Sequence, residues 1–159
     1  DMDGDGVANK SDACLWTKGD LKNLGCPLGE LAIPFKLRKH FIFTFGATRL
    51  KQSQTKELKK IVRIAKFLTD HPNILIHLSG HTDYKGYKAY NRKVSRLRVY
   101  HIKKRLITEG VNPAQIEISA FGENEPIVYD SLHTQRIQNR RVTVTYSQSV
   151  STQLQVQSK

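Results

Sequence analysis

Residues 81–98 read HTDYKGYKAYNRKVSRLR, a stretch that leaves an apolar run, turns, and enters a long helical pattern. Projected at about 100° per residue, Asn91, Ser95, Arg98, Ile102 and Leu106 recur at spacings of 4, 3, 4 and 4 and share one face. The spacing predicts a helix over 87–110. Its far half, Ile102 and Leu106 flanked by Val99, is an ordinary core stripe. Its near half is polar. A helix that turns Asn, Ser and Arg inward either buries a satisfied network or lines a pocket. Asp83, at the end of the strand feeding the turn, sets a carboxylate opposite Arg98 across a small cavity. Taken alone, an Asp and an Arg 15 residues apart favour a structural ion pair between strand and helix.

Working outward, His40 to Leu50 reads as a first strand, with Phe41, Phe43 and Phe45 alternating against Ile42 and Thr44 to form a core face. Residues 53–69 carry an amphipathic stripe of Leu58, Ile61, Val62, Ala65 and Leu68, with Lys56, Lys59, Lys60, Arg63 and Lys66 on a solvated face. Pro72-Asn73 breaks that helix, and Ile74 to Leu78 forms a short apolar strand. After the central helix, Gly110-Val111-Asn112-Pro113 is a stop signal. Ile116, Ile118 and Ala120 make a third strand, residues 122–130 a loop, and residues 136–139 a short helical or irregular approach. Val142, Val144 and Tyr146 mark a last strand, followed by a Ser/Gln-rich tail. The β-α-β-α-β order predicts an α/β sandwich with helices packed on one face of a small mixed sheet.

Four blocks of this chain resemble the signature of the OmpA-like C-terminal domain, in order and at matching spacing. They are Gly80-His81-Thr82-Asp83 with Gly86; Asn91 with Val94-Ser95 and Arg98-Val99; Phe121-Gly122-Glu123-Asn124-Glu125-Pro126; and Asn139-Arg140-Arg141-Val142. Val94 stands where that signature has Leu, and Val99 where it has Ala, both apolar exchanges. The resemblance covers roughly residues 40–146. It implies the same sandwich architecture and a non-catalytic module that binds peptidoglycan in outer-membrane proteins, lipoproteins and flagellar stators. The implied ligand is diaminopimelate of the stem peptide, whose end bears an ammonium and a carboxylate on one carbon. Asp83 would take the ammonium and Arg98 would clamp the carboxylate with a bidentate, charge-assisted pair. Thr82 and Asn91 fall at positions of polar support, and Arg141 at either the pocket rim or a structural place by the last strand.

The 159 residues suit one ordinary domain with extensions, read as 1–33, 34–147 and a tail over 148–159. No apolar run reaches the roughly 18 residues that cross a bilayer, and no secretory signal opens the chain. Net charge is +12, unevenly spread: residues 1–33 hold six acids against three lysines, leaving 23 basic and 8 acidic residues beyond. That balance favours an anionic partner, and composition by itself would put nucleic acid first.

Asp1, Asp3 and Asp5 occupy loop positions 1, 3 and 5, Gly6 position 6, and Asp12 position 12, the spacing of an oxygen-ligand calcium loop in which Val7 would add its backbone carbonyl. With Cys14 and Gly25-Cys26-Pro27, the segment resembles a single thrombospondin type 3 repeat, which implies bound Ca2+. Two cysteines alone are compatible with free thiols or half a metal site. Beside such a loop, a Cys14–Cys26 disulfide and an oxidising compartment are the better reading.

The six histidines show no His-Glu-x-x-His pairing, and no acid/base pair of carboxylates presents itself, which argues against an enzyme. The expectation is a periplasmic cell-wall anchor, without nucleic acid as partner. Attachment to a membrane would come only through an upstream region, since the sequence opens inside a metal-loop motif as a fragment does. The alternative is a basic module for nucleic acid or an acidic surface, separable by its steeper salt dependence.

Overall fold

The computed structural model describes residues 3–27, 29–34, 37, 40–127 and 137–149. The chain divides into two compact units, Asp1–Lys39 and His40–Lys159.

In the second unit, β1 (Phe41–Ile42), α1 (Thr55–Asp70), β2 (Ile74–His81), α2 (Lys88–Thr108), β3 (Ile116–Gly122) and β4 (Arg141–Gln148) follow in order. The four strands form one mixed sheet in the order β1-β4-β2-β3. β2 and β3 pair in parallel across the α2 crossover, while β4 is inserted antiparallel between β1 and β2. This is the expected α/β sandwich. No helix among the described residues is long and apolar enough to cross a membrane.

Alternation along β2 puts Ile74, Ile76 and Leu78 in the core. Gly80 continues that face, and a Cβ there would collide with the carbonyl of Ser95 and lie 2.9 Å from Val99 Cγ1. Strand and helix therefore touch backbone to backbone just where the polar half of α2 begins. Val99, an exchange for Ala, is fully buried in this contact.

Expectations about the first helix and the first strand are corrected. On α1 the buried positions are Lys60, Ile61, Ile64, Ala65 and Leu68. Val62 is exposed, because the i, i+3, i+4, i+7 line through Ile61 takes in Ile64 instead. Lys60 leaves the solvated face: its Nζ donates to His40 O at 2.9 Å and Glu57 Oε2 at 2.8 Å, and lies 4.8 Å from the centroid of Phe41. The first strand is only Phe41–Ile42. Beyond it the carbonyls of Phe43, Thr44 and Ala47 accept from arginine side chains rather than from a neighbouring strand. Phe45 consequently leaves the core face on which Phe41 and Phe43 stay.

The tail from residue 150 and residues 128–136 of the expected loop and approach lie outside the described residues.

Candidate functional site

The turn between β2 and α2 carries the site. His81 ends the strand, Gly86 takes φ +94 in the turn, and Tyr87 caps α2 with extended backbone. Thr82 N–H donates to Gly122 O at 2.8 Å, which ties the turn to the end of β3.

The polar half of α2 is both a satisfied network and a pocket wall. Asn91, Ser95 and Arg98 are all buried. Ser95 Oγ accepts from Gly122 N–H at 3.1 Å and donates to Arg92 O at 2.8 Å. Asn91 Nδ2 donates to Glu123 Oε2 at 2.9 Å and to Asp83 O at 3.4 Å. Arg98 gives three N–H groups to backbone: Nε to Ala47 O at 2.7 Å, Nη1 to His81 O at 2.8 Å and Nη2 to Thr44 O at 3.3 Å. A guanidinium has five N–H donors, so two remain for another acceptor. Burial and the adjacent Arg140 pull the Arg98 pKa down to about 10, with Asp83 and Tyr90 opposing them. It stays charged at neutral pH.

Asp83 is 2% exposed and makes no ion pair with Arg98. Its Oδ2 instead faces Arg140 Nη1 at 3.3 Å, while Oδ1 accepts from Lys85 N–H at 3.2 Å. Arg140 also donates through Nε to Phe43 O at 3.2 Å. Phe45, Gly46, Thr82, Asp83, Asn91, Arg98 and Arg140 line one small cavity together with Tyr90 and Val94. The Thr82 hydroxyl is buried there without a partner. Thus the fold brings together Asp83, Arg98, Thr82 and Asn91 from the sequence reading. It adds Arg140, which that reading passed over.

Arg141, named as a rim candidate, lies elsewhere. Its Nε donates to Thr143 Oγ1 at 3.0 Å and its Nη2 to Glu125 O at 3.1 Å, and it does not line the cavity. Parity along β4 was the available signal. Val142 and Val144 face the core, so residue 140 shares their face and residue 141 the opposite one. On that opposite face Arg141 neighbours His81 and His40. Burial, then Arg141 and then His40 hold His81 down to about 4. Its ring stacks on Phe121 with centroids 5.4 Å apart. A larger cavity of about 310 Å3, lined by Leu50, Leu58, Ile61, Ile102 and neighbouring basic side chains, contains none of the motif residues.

Residues 42–140 match the OmpA family, more than half of the chain. The chain belongs to the OmpA family. Over 145 residues, 89% of this OmpA-family chain, it is 29% identical to outer membrane porin F of Pseudomonas aeruginosa, of which it spans 40%. It is 31% identical over 122 residues to the peptidoglycan-associated lipoprotein of Pseudomonas putida, covering 76% of this chain and 71% of that one. Among solved structures it is similar to the peptidoglycan-associated lipoprotein of Burkholderia pseudomallei, with TM-score 0.65, 25% identity, and coverage of 69% of this chain and 90% of that one. The C-terminal domain of Helicobacter pylori MotB matches with TM-score 0.63 and 27% identity, over 76% of this chain and 92% of that one.

In the first unit, Cys14 and Cys26 are joined in a disulfide. Asp1 lies outside the described residues, while ligand atoms of Asp3, Asp5 and Asp12 lie within 4.8 Å of one another. Each folds one carboxylate oxygen onto the amide two residues on: Asp3 to Asp5 N–H at 3.2 Å, Asp5 to Val7 N–H at 2.8 Å, Asp12 to Cys14 N–H at 2.7 Å. Asp3 Oδ2 and Asp12 Oδ2 are left buried without partners. Gly25, at φ +78, brings its backbone so close that a Cβ would strike Asp12 Oδ1. Buried, unpaired carboxylate oxygens that converge suit a hard cation.

Proposed function

We propose that this OmpA-family chain binds peptidoglycan non-covalently through the terminal ammonium and carboxylate of diaminopimelate, and so anchors an envelope protein to the cell wall in the periplasm. The observation that carries this reading is one buried carboxylate and two buried guanidiniums, Asp83, Arg98 and Arg140, lining a single cavity beside the unpaired hydroxyl of Thr82. A zwitterionic head needs an anion and a planar donor held apart. Asp83 Oδ2 takes the ammonium, and the two N–H groups left on Arg98 take the carboxylate. Arg140 stands against Asp83 and adds positive charge toward the incoming carboxylate. Asn91, fixed by Glu123, holds the turn that carries Asp83. The names of the lipoproteins similar to this chain support the reading, as does the motif match at Asp83 and Arg98. The module acts by binding, with no catalytic role for these residues.

The test is calorimetry with stem peptides. A peptide with free diaminopimelate carboxylate binds, its amidated form binds about tenfold more weakly or less, and a lysine-type stem behaves like the amidated form. Equal affinity for all three would leave only charge attraction.

In the first unit, Asp3, Asp5 and Asp12 are proposed to hold Ca2+ as in a thrombospondin type 3 repeat, with Asp1 and the Val7 carbonyl completing the set. The ion would neutralise the two orphaned carboxylate oxygens and fix the loop over the Cys14–Cys26 disulfide.

A further inference from the structure

Two aromatic side chains stand open at the cavity, and a third stands open three residues ahead of one of them, where core packing gives no reason for them. Phe45 continues the alternation of Phe41 and Phe43, yet it is 57% exposed. The chain turns at Gly46, which takes φ +69, and Arg98 holds the turn on both sides through Thr44 O and Ala47 O. The Phe45 ring is therefore kept out of the core by the same guanidinium that lines the cavity. Tyr90 lines the cavity next to it and is 48% exposed. Its hydroxyl would lie 3.7 Å from a Cβ placed on Gly46. Tyr87, three residues ahead at the N-terminus of α2, is 85% exposed. Lys85 Nζ stands 5.8 Å from the Phe45 ring centroid.

The cavity between them measures about 10 Å3, room for one water-sized group. A single ammonium or carboxylate group can reach into it; a sugar ring cannot. Whatever continues from the head must leave across the mouth, past Phe45 and Tyr90. Peptidoglycan stem peptides hang from a glycan strand. A pyranose ring presents one face of C–H bonds that packs on aromatic faces, and hydroxyls at its edge that pair with phenols and ammonium groups. Separate rings, two of them with phenol tips and one with the Lys85 ammonium over it, suit such a ring better than they suit a broad apolar protein contact.

The geometry points to an aromatic platform, formed by Phe45, Tyr87 and Tyr90, that binds a pyranose ring of the glycan strand whose stem peptide places its charged head in the cavity. This rests on the peptidoglycan reading above and names a second contact within it. The platform and the cavity are joined mechanically, since Arg98 borders one and holds the turn that displays the other.

The experiment compares two probes on the full chain by calorimetry: a diaminopimelate tripeptide, and the same tripeptide carried on its disaccharide. The disaccharide form is expected to bind at least about fivefold more tightly. That ratio should fall toward one in Phe45→Ala and in Tyr87→Ala, with melting curves confirming the fold. Equal binding of both probes by the unaltered chain overturns the platform and leaves the cavity reading intact. Binding of neither overturns both. A disaccharide advantage that survives both substitutions also overturns the platform, by placing the sugar elsewhere. Because the first comparison needs no variant, a misfolded substitution cannot rescue the proposal.

Discussion

Arg140 Nη1 lies 3.3 Å from Asp83 Oδ2, and both side chains are all but removed from solvent. This pair, rather than Asp83 with Arg98, is the ion pair of the site. Removing one partner of a buried pair typically costs about 3–5 kcal/mol, whereas replacing both by apolar groups is often neutral. Asp83→Ala should therefore lower the melting temperature markedly, while a double change, Asp83→Leu with Arg140→Met, should recover only part of that loss, since Phe43 O and Lys85 N–H also lose their partners. Both should lose retention on sacculi at moderate salt. A binder working through overall positive charge would instead gain from Asp83→Ala, which raises the net charge of +12 by one. Retention by a folded double variant would remove Asp83 from the site.

Arg98→Ala is expected to be chiefly a folding defect. It removes the side-chain donor from Ala47 O and His81 O and the second donor from Thr44 O, which keeps Ala47 N–H at 3.0 Å, at a cost of at least about 2 kcal/mol. Arg98→Lys should recover little, since one ammonium cannot replace a planar fork aimed at three carbonyls. Urea denaturation of both variants checks this. Near-normal midpoints would show that the loop over 44–47 does not depend on Arg98.

His81 provides a pH dependence with a definite sign. Its folded pKa of about 4 lies below the ordinary histidine value of 6.5 because of burial, then Arg141, then His40. Between those values the unfolded chain binds the proton and the folded one does not. The contribution is thus present above pH 6.5 and is lost as pH falls through about 4. His40, also lowered by burial and by Arg141 and Lys60, acts in the same direction. Urea midpoints should decline across this window, and His81→Gln should flatten the decline. An unchanged slope in that variant would mean that His40 and the carboxylates set the whole effect.

Calcium should act on the first unit alone. Its addition is expected to slow proteolysis within residues 3–27, with chelation or Asp12→Asn reversing the protection. Reduction of Cys14–Cys26 should speed cleavage there. Sacculus binding should hold in each case and after deletion of residues 1–30. Loss of binding in a folded deletion variant would make the segments interdependent.

The sequence by itself determined the architecture and the identity of the polar helix face. Periodicity placed α1, α2 and three of the strands within a few residues, because each of these elements buries a repeated apolar line that a one-dimensional pattern records. The motif blocks brought Asp83, Arg98, Thr82 and Asn91 to one place. Tertiary structure alone decided who pairs with whom. Arg140 and Arg141 are adjacent letters, but strand parity and the insertion of β4 between β1 and β2 send them to opposite faces. Arg98 looked like a free ligand donor, yet three of its N–H groups hold backbone carbonyls more than fifteen residues away in sequence. The same bonds cut the first strand short and turn Phe45 outward. Such choices rest on which donors and acceptors meet after the chain has closed over long loops, and no local spacing carries that information.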